Sequence, residues 1–112
     1  MKRDPSILIA DMLFSMDRIE KSVKGISFEE FKDDISIQDA VVRRFSIIGE
    51  AANNLSKEFK EQHKEINWHD IIGMRNLLIH EYFDIDLKVV WDTAKKDLPH
   101  LKSKLKITIK GK

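Results

Sequence analysis

The stretch from Ser36 to Phe59, SIQDAVVRRFSIIGEAANNLSKEF, decides the fold. Its apolar residues Ile37, Val41, Phe45, Ile48, Ala52, Leu55 and Phe59 recur at spacings of three and four, the period of one helix face. The spacing predicts a single long helix over the whole stretch. Gly49 sits inside that pattern, where glycine costs about 1 kcal/mol relative to alanine. Followed by Ala51 and Ala52, it leaves room for another helix to approach closely. Glu50, among these small and apolar residues, reads either as a surface carboxylate or as a polar group at a subunit contact.

The same period extends outward in both directions. Asp4-Pro5 is an N-cap followed by proline at the first helical position. Leu8, Met12, Ser15, Ile19 and Val23 then share a face, with Ile9, Leu13 and Met16 beside it, and Gly25 is the stop. Ser27-Phe28-Glu29-Glu30 is a capping box opening a short helix that ends near Asp33-Asp34. Asn67, with Asp70 three positions on, starts a fourth helix expected to run to about His80. Asp84 and Asp86 cap a fifth, which carries Leu87, Val90, Trp91, Ala94, Leu98, Leu101 and Leu105. Pro99 lies within it and should introduce a kink. Trp68 and Trp91 fall in phase with these apolar positions and read as core.

The expected architecture is all-α: an antiparallel, homodimeric bundle of about five helices, four main and one short. One domain spans residues 1–106, and 107–112 form a basic tail that frays. The chain's 112 residues are enough for one domain to bury its own core. With no cysteine, disulfides and thiolate metal sites are excluded. His63, His69 and His100 do not fall at metal-ligand spacing, so no metal and no cofactor are expected. No signal-peptide h-region and no run of roughly 20 apolar residues is present, so a cytoplasmic location is expected. Net charge is +1, but the lysines concentrate after Leu87, which suits a polyanion such as RNA.

The residues that carry chemistry are Arg75-Asn76-Leu77-Leu78-Ile79-His80-Glu81-Tyr82. Arginine is a permanent cation able to hold a phosphate through two donors at once. Histidine exchanges a proton near neutral pH. On a continuous helix Asn76 and His80, four apart, share a face, so the amide can orient the imidazole. Cleavage of RNA through its 2′-hydroxyl needs both a base and an acid, and one histidine cannot easily supply both. A two-fold axis near His80 would bring two imidazoles and two guanidiniums into one groove. Against this stands the plainer reading of a helix-end salt bridge and a capping histidine. Arg43 and Arg44, on the outer side of the long helix, read as RNA contacts or as ordinary solvated charges.

Taken together, the fragments Phe28-Glu29-Glu30-Phe31, Gln38-Asp39-Ala40-Val41-Val42-Arg43-Arg44, Ile47-Ile48-Gly49-Glu50-Ala51-Ala52, the run from Trp68 to Tyr82, and Val90-Trp91 with Asp97-Leu98-Pro99 occur in an ordered series. In this the chain resembles the HepT-like ribonucleases of the HEPN superfamily, over about residues 5 to 105. That family's signature is an arginine, four residues, a histidine, any residue and a tyrosine, matched here by Arg75, His80 and Tyr82. The resemblance implies a metal-independent toxin endoribonuclease, catalytic through Arg75 and His80 in a composite dimer groove, with Asn76 in support. It also implies a cognate nucleotidyltransferase antitoxin that silences the toxin by transferring AMP to Tyr82. Many relatives have glycine where this chain has Glu81, a carboxylate able to stabilise the imidazolium or repel RNA. The alternative within this class of helical bundles is a non-catalytic nucleotide- or nucleotidyltransferase-binding partner.

Overall fold

The computed structural model describes residues 4–77 and 84–110. Among them there is no strand, and every regular element is helical. The first helix, α1 (Pro5–Val23), begins where the Asp4 carboxylate accepts from the Ser6 amide at 2.8 Å. The turn that ends it passes through Gly25 at φ +76°, a left-handed conformation that glycine adopts without a Cβ clash. Helix α2 (Phe28–Lys32) opens with both halves of its capping box formed between Ser27 and Glu30.

The long helix is two helices. α3 (Ile35–Asn53) ends at Asn54, and α4 (Lys57–Gln62) restarts after Ser56, whose hydroxyl accepts from the Phe59 amide at 3.0 Å. The apolar stripe runs across the break, since Leu55 is buried and Phe59 packs against the core, so periodicity alone did not reveal it. Trp68, at the start of α5 (Trp68–Gly73), ties α4 down by donating from its indole Nε1 to the carbonyls of Lys60 and His63.

The fourth helix also stops short of expectation. After α5 the chain tightens into a 3-10 turn (Met74–Asn76), and Leu77 is extended at φ −74°, ψ 104°. The continuous helix from Asn67 to His80 that placed Asn76 and His80 on one face is therefore not formed. His80, Glu81 and Tyr82 themselves lie outside the described residues. α6 (Asp84–Asp92) begins where the sequence places it; the capping side chains of Asp84 and Asp86 lie outside the described residues.

From α6 the chain passes through a π-helical segment (Thr93–Asp97) into α7 (Leu98–Lys110). The irregularity expected at Pro99 takes this form: the Leu98 amide reaches back to the Thr93 carbonyl, one residue further than in an α-helix. That wider turn lies just where a proline ring would press on the Lys95 carbonyl. The helix continues to Lys110, past the point at Ile107 where fraying was expected.

The core forms where α1 lies along α3, with Met12, Met16, Ile19, Val41, Phe45 and Ile48 fully buried. Trp91 of α6 closes one side, its ring tilted against Phe31 at 5.2 Å and Phe28 at 6.0 Å between ring centres. Both tryptophans are buried, as their phase indicates. Gln38 is buried as well and donates its side-chain amide to the Phe31 and Lys32 carbonyls at the end of α2, both at 2.9 Å. No described helix is long and apolar enough to cross a membrane.

Candidate functional site

Arg75 is held against α3 at one point of unusually close packing. A Cβ placed on Gly49 would lie 2.6 Å from both the Cβ and the backbone nitrogen of Arg75, and 2.8 Å from the Ile72 carbonyl oxygen. The close approach expected of Gly49 is thus realised, and the element that approaches is the one carrying the candidate catalytic arginine. The tightening of the chain from α5 into the 3-10 turn occurs at this contact.

The next residue on α3 is Glu50. Its Oε1 accepts a hydrogen bond from Arg75 Nη1 at 2.6 Å. Both side chains are open to solvent, Arg75 at 36% and Glu50 at 57% exposure. An ion pair so exposed contributes about 0–1 kcal/mol to stability. Nothing in the local pattern signals it, because the two residues stand 25 positions apart. Asn76, at the end of the turn, is exposed.

The two arginines of α3 diverge. Arg43 is exposed and borders a groove of about 280 Å³ between α1 and α3, which Asp11, Ser46 and Glu50 also line. Arg44 is half-buried, its guanidinium 5.2 Å above the Phe14 ring and Nη1 3.5 Å from the Ser15 hydroxyl. Arg43 therefore shares a surface with the Glu50–Arg75 pair, whereas Arg44 is tied to α1.

The remaining histidines separate too. His63 is buried, with its ring 4.6 Å from Phe59 and Nδ1 3.8 Å from a Glu65 carboxylate oxygen. His69 and His100, unconnected in sequence, face one larger groove of about 500 Å³ floored by Met74, Leu77 and Leu101. Asp70, Thr93 and Asp97 complete its rim. Among the described residues no three acidic or histidine side chains converge as metal ligands would.

The family described as "Ribonuclease HepT-like" matches residues 12–107. The "Probable ribonuclease HepT" of Thermococcus cleftensis is 42% identical over 104 residues, covering 93% of this chain and 94% of that protein. A protein of Caldanaerobacter subterraneus subsp. tengcongensis named "Putative RNase" is 41% identical over 104 residues, covering 93% of each. No solved structure matches. The matched span takes in α3, the Gly49 contact and the whole segment from Arg75 to Tyr82, and on that extent the chain belongs to the HepT-like ribonuclease family.

Proposed function

We propose that this protein is a metal-independent endoribonuclease and the toxin of a toxin–antitoxin pair, working as a homodimer. The observation that carries the reading is Arg75, its backbone packed against Gly49 and its guanidinium held at the surface by Glu50, followed in register by His80 and Tyr82 within the family match. Arg75 holds the scissile phosphate and stabilises the charge that develops on it. One His80 takes the proton from the ribose 2′-hydroxyl as that oxygen attacks phosphorus. The His80 of the second copy protonates the departing 5′-oxygen, leaving a 2′,3′-cyclic phosphate. Arg43, on the same surface as Arg75, is a further contact for the RNA backbone, with Asn76 adding a polar amide. Arg44, occupied by Phe14, has less freedom to contribute.

Control follows from the same chemistry. Transfer of AMP from ATP to the Tyr82 hydroxyl by a nucleotidyltransferase antitoxin, with loss of the hydroxyl proton and release of pyrophosphate, would put an anionic, bulky group two residues from His80. There it opposes an incoming RNA phosphate both sterically and electrostatically.

The test is cleavage of total cellular RNA in EDTA by purified protein, beside His80→Ala and Arg75→Ala, after mass measurement shows Tyr82 unmodified. Cleavage confined to the unaltered protein, with cyclic phosphate ends and no action on DNA, is the expected result. A requirement for divalent metal would overturn the mechanism. Silence from folded, unmodified dimer would favour the non-catalytic partner, and Glu81 would be the first residue to exchange for glycine.

A further inference from the structure

The Glu50–Arg75 pair has three properties that stability does not explain. It is exposed, so its contribution to folding is small. It sits beside the one contact where α3 admits no Cβ, so the backbone of Arg75 is fixed as well as its tip. It also engages a single nitrogen, Nη1, while a guanidinium carries five N–H donors. The bond to Glu50 engages one of them, and among the described residues no other group accepts from Arg75. A long, flexible arginine otherwise loses rotamer freedom on grasping a phosphate. Here the carboxylate has already restricted it.

We propose that Glu50 is a positioning residue for the cleavage reaction, orienting the Arg75 guanidinium so that its unengaged donors meet the scissile phosphate. The proposal rests on the reading of Arg75 as the phosphate-holding residue. It differs from a masking role, in which Glu50 would compete with phosphate for the guanidinium. It differs equally from a direct role as proton acceptor for the 2′-hydroxyl. The three make opposite statements about the same variants. Removal of a positioning group slows the reaction, removal of a mask strengthens binding and speeds it, and an amide replaces a positioning acceptor but not a base.

The experiment measures kcat and KM on a short RNA in EDTA for the full chain and for Glu50→Ala, Glu50→Gln, Arg75→Ala and the Glu50→Ala/Arg75→Ala double variant. His80→Ala is run beside them. Thermal melts confirm that each is folded. A misplaced catalytic group costs on the order of 10²-fold, so Glu50→Ala is expected to lower kcat by about that factor with KM changed less than about threefold. Glu50→Gln, whose amide oxygen still accepts from Nη1, recovers most of the loss, and the pH profile keeps its shape. The double variant is no slower than Arg75→Ala alone, because Glu50 acts through Arg75.

Faster cleavage or tighter binding by Glu50→Ala would overturn the proposal in favour of masking. Glu50→Gln as slow as Glu50→Ala, with the acid limb of the pH profile lost, would overturn it in favour of proton transfer. If the unaltered protein cleaves, His80→Ala does not, and Glu50→Ala matches the unaltered protein, the positioning role fails while the nuclease reading stands. If His80→Ala cleaves as well as the unaltered protein, the nuclease reading fails and the role of Glu50 with it.

Discussion

Replacing Gly49 by alanine sets two local effects against each other, and the packing decides which wins. In a helix interior alanine is favoured over glycine by about 1 kcal/mol. The added methyl, however, would sit 2.6 Å from the Arg75 Cβ and backbone nitrogen and 2.8 Å from the Ile72 carbonyl oxygen. None of these is the far end of a flexible side chain, so relief requires the whole α5 and 3-10 segment to move off α3. Overpacking of this kind costs about 1–3 kcal/mol, and backbone neighbours put it at the upper end. The net expectation is a loss of about 2 kcal/mol, or a fall in melting temperature of roughly 6–12 °C for a chain of this size.

Urea denaturation followed by tryptophan fluorescence measures the change, since Trp68 opens the segment that must shift and Trp91 reports on the core. Because the displaced residue is Arg75, RNA cleavage should fall by more than the small remaining unfolded fraction accounts for. A Gly49→Ala protein as stable as its parent, or more so, would refute the reasoning. It would mean that helix propensity governs this position and the close approach does not constrain Arg75.

Two further substitutions test the frame around the site. Gln38→Ala leaves the Phe31 and Lys32 carbonyls without their buried donor, and should cost about 1–3 kcal/mol in urea denaturation. Phe31→Ala removes a fully buried ring packed on Trp91 and should cost about 3–5 kcal/mol by the same measurement. Lys102→Met tests a charge cluster remote from the site. The hydrogen bond to Glu20 at 2.6 Å, with Asp17 nearby, raises the Lys102 pKa above its usual value despite partial burial. That contribution is full below pH 10.5 and is lost as pH rises through the raised folded value. For Asp17 desolvation pushes the pKa up, but Lys21 and Lys102 together outweigh it and the net shift is downward. Its contribution is present above pH 3.8 and lost as pH falls through the lowered value. Melting temperature against pH should therefore separate the parent from Lys102→Met across the neutral range and bring them together at both extremes.

What could be read from the chain, and what could not, divides by the range of the interaction. Asp4-Pro5 and the Ser27–Glu30 box were legible because a cap is made within three residues of itself. The phase of the buried residues was legible because a helix face repeats. The break at Asn54–Ser56 was hidden by that same regularity: Leu55 and Phe59 stay in phase with α3 although that helix ends at Asn53, before both of them. The poor helix formers Asn53 and Asn54 and the capping Ser56 were the signals that could have shown it. The end of the fourth helix was harder. The 3-10 turn coincides with the contact between Gly49 and Arg75, and a contact between residues so far apart in the chain has no periodicity. The arrangement of Asn76 with His80 rests on a helix that instead ends in this 3-10 turn, and the groove shared by His69 and His100 likewise exists only in three dimensions.

The two α3 residues that meet Arg75 add little to the stability of α3 itself. Gly49 weakens the helix by about 1 kcal/mol, and an exposed Glu50 in an ion pair returns about 0–1 kcal/mol. Helix propensity alone would favour alanine at the first position and leave the second free. Both instead converge on one guanidinium, the first by fixing where its backbone lies and the second by fixing where its tip points. Departures from local preference that agree on a single target are expected at functional sites. On this argument the cleavage chemistry proposed for Arg75 depends on α3 as much as on the segment that carries the arginine itself.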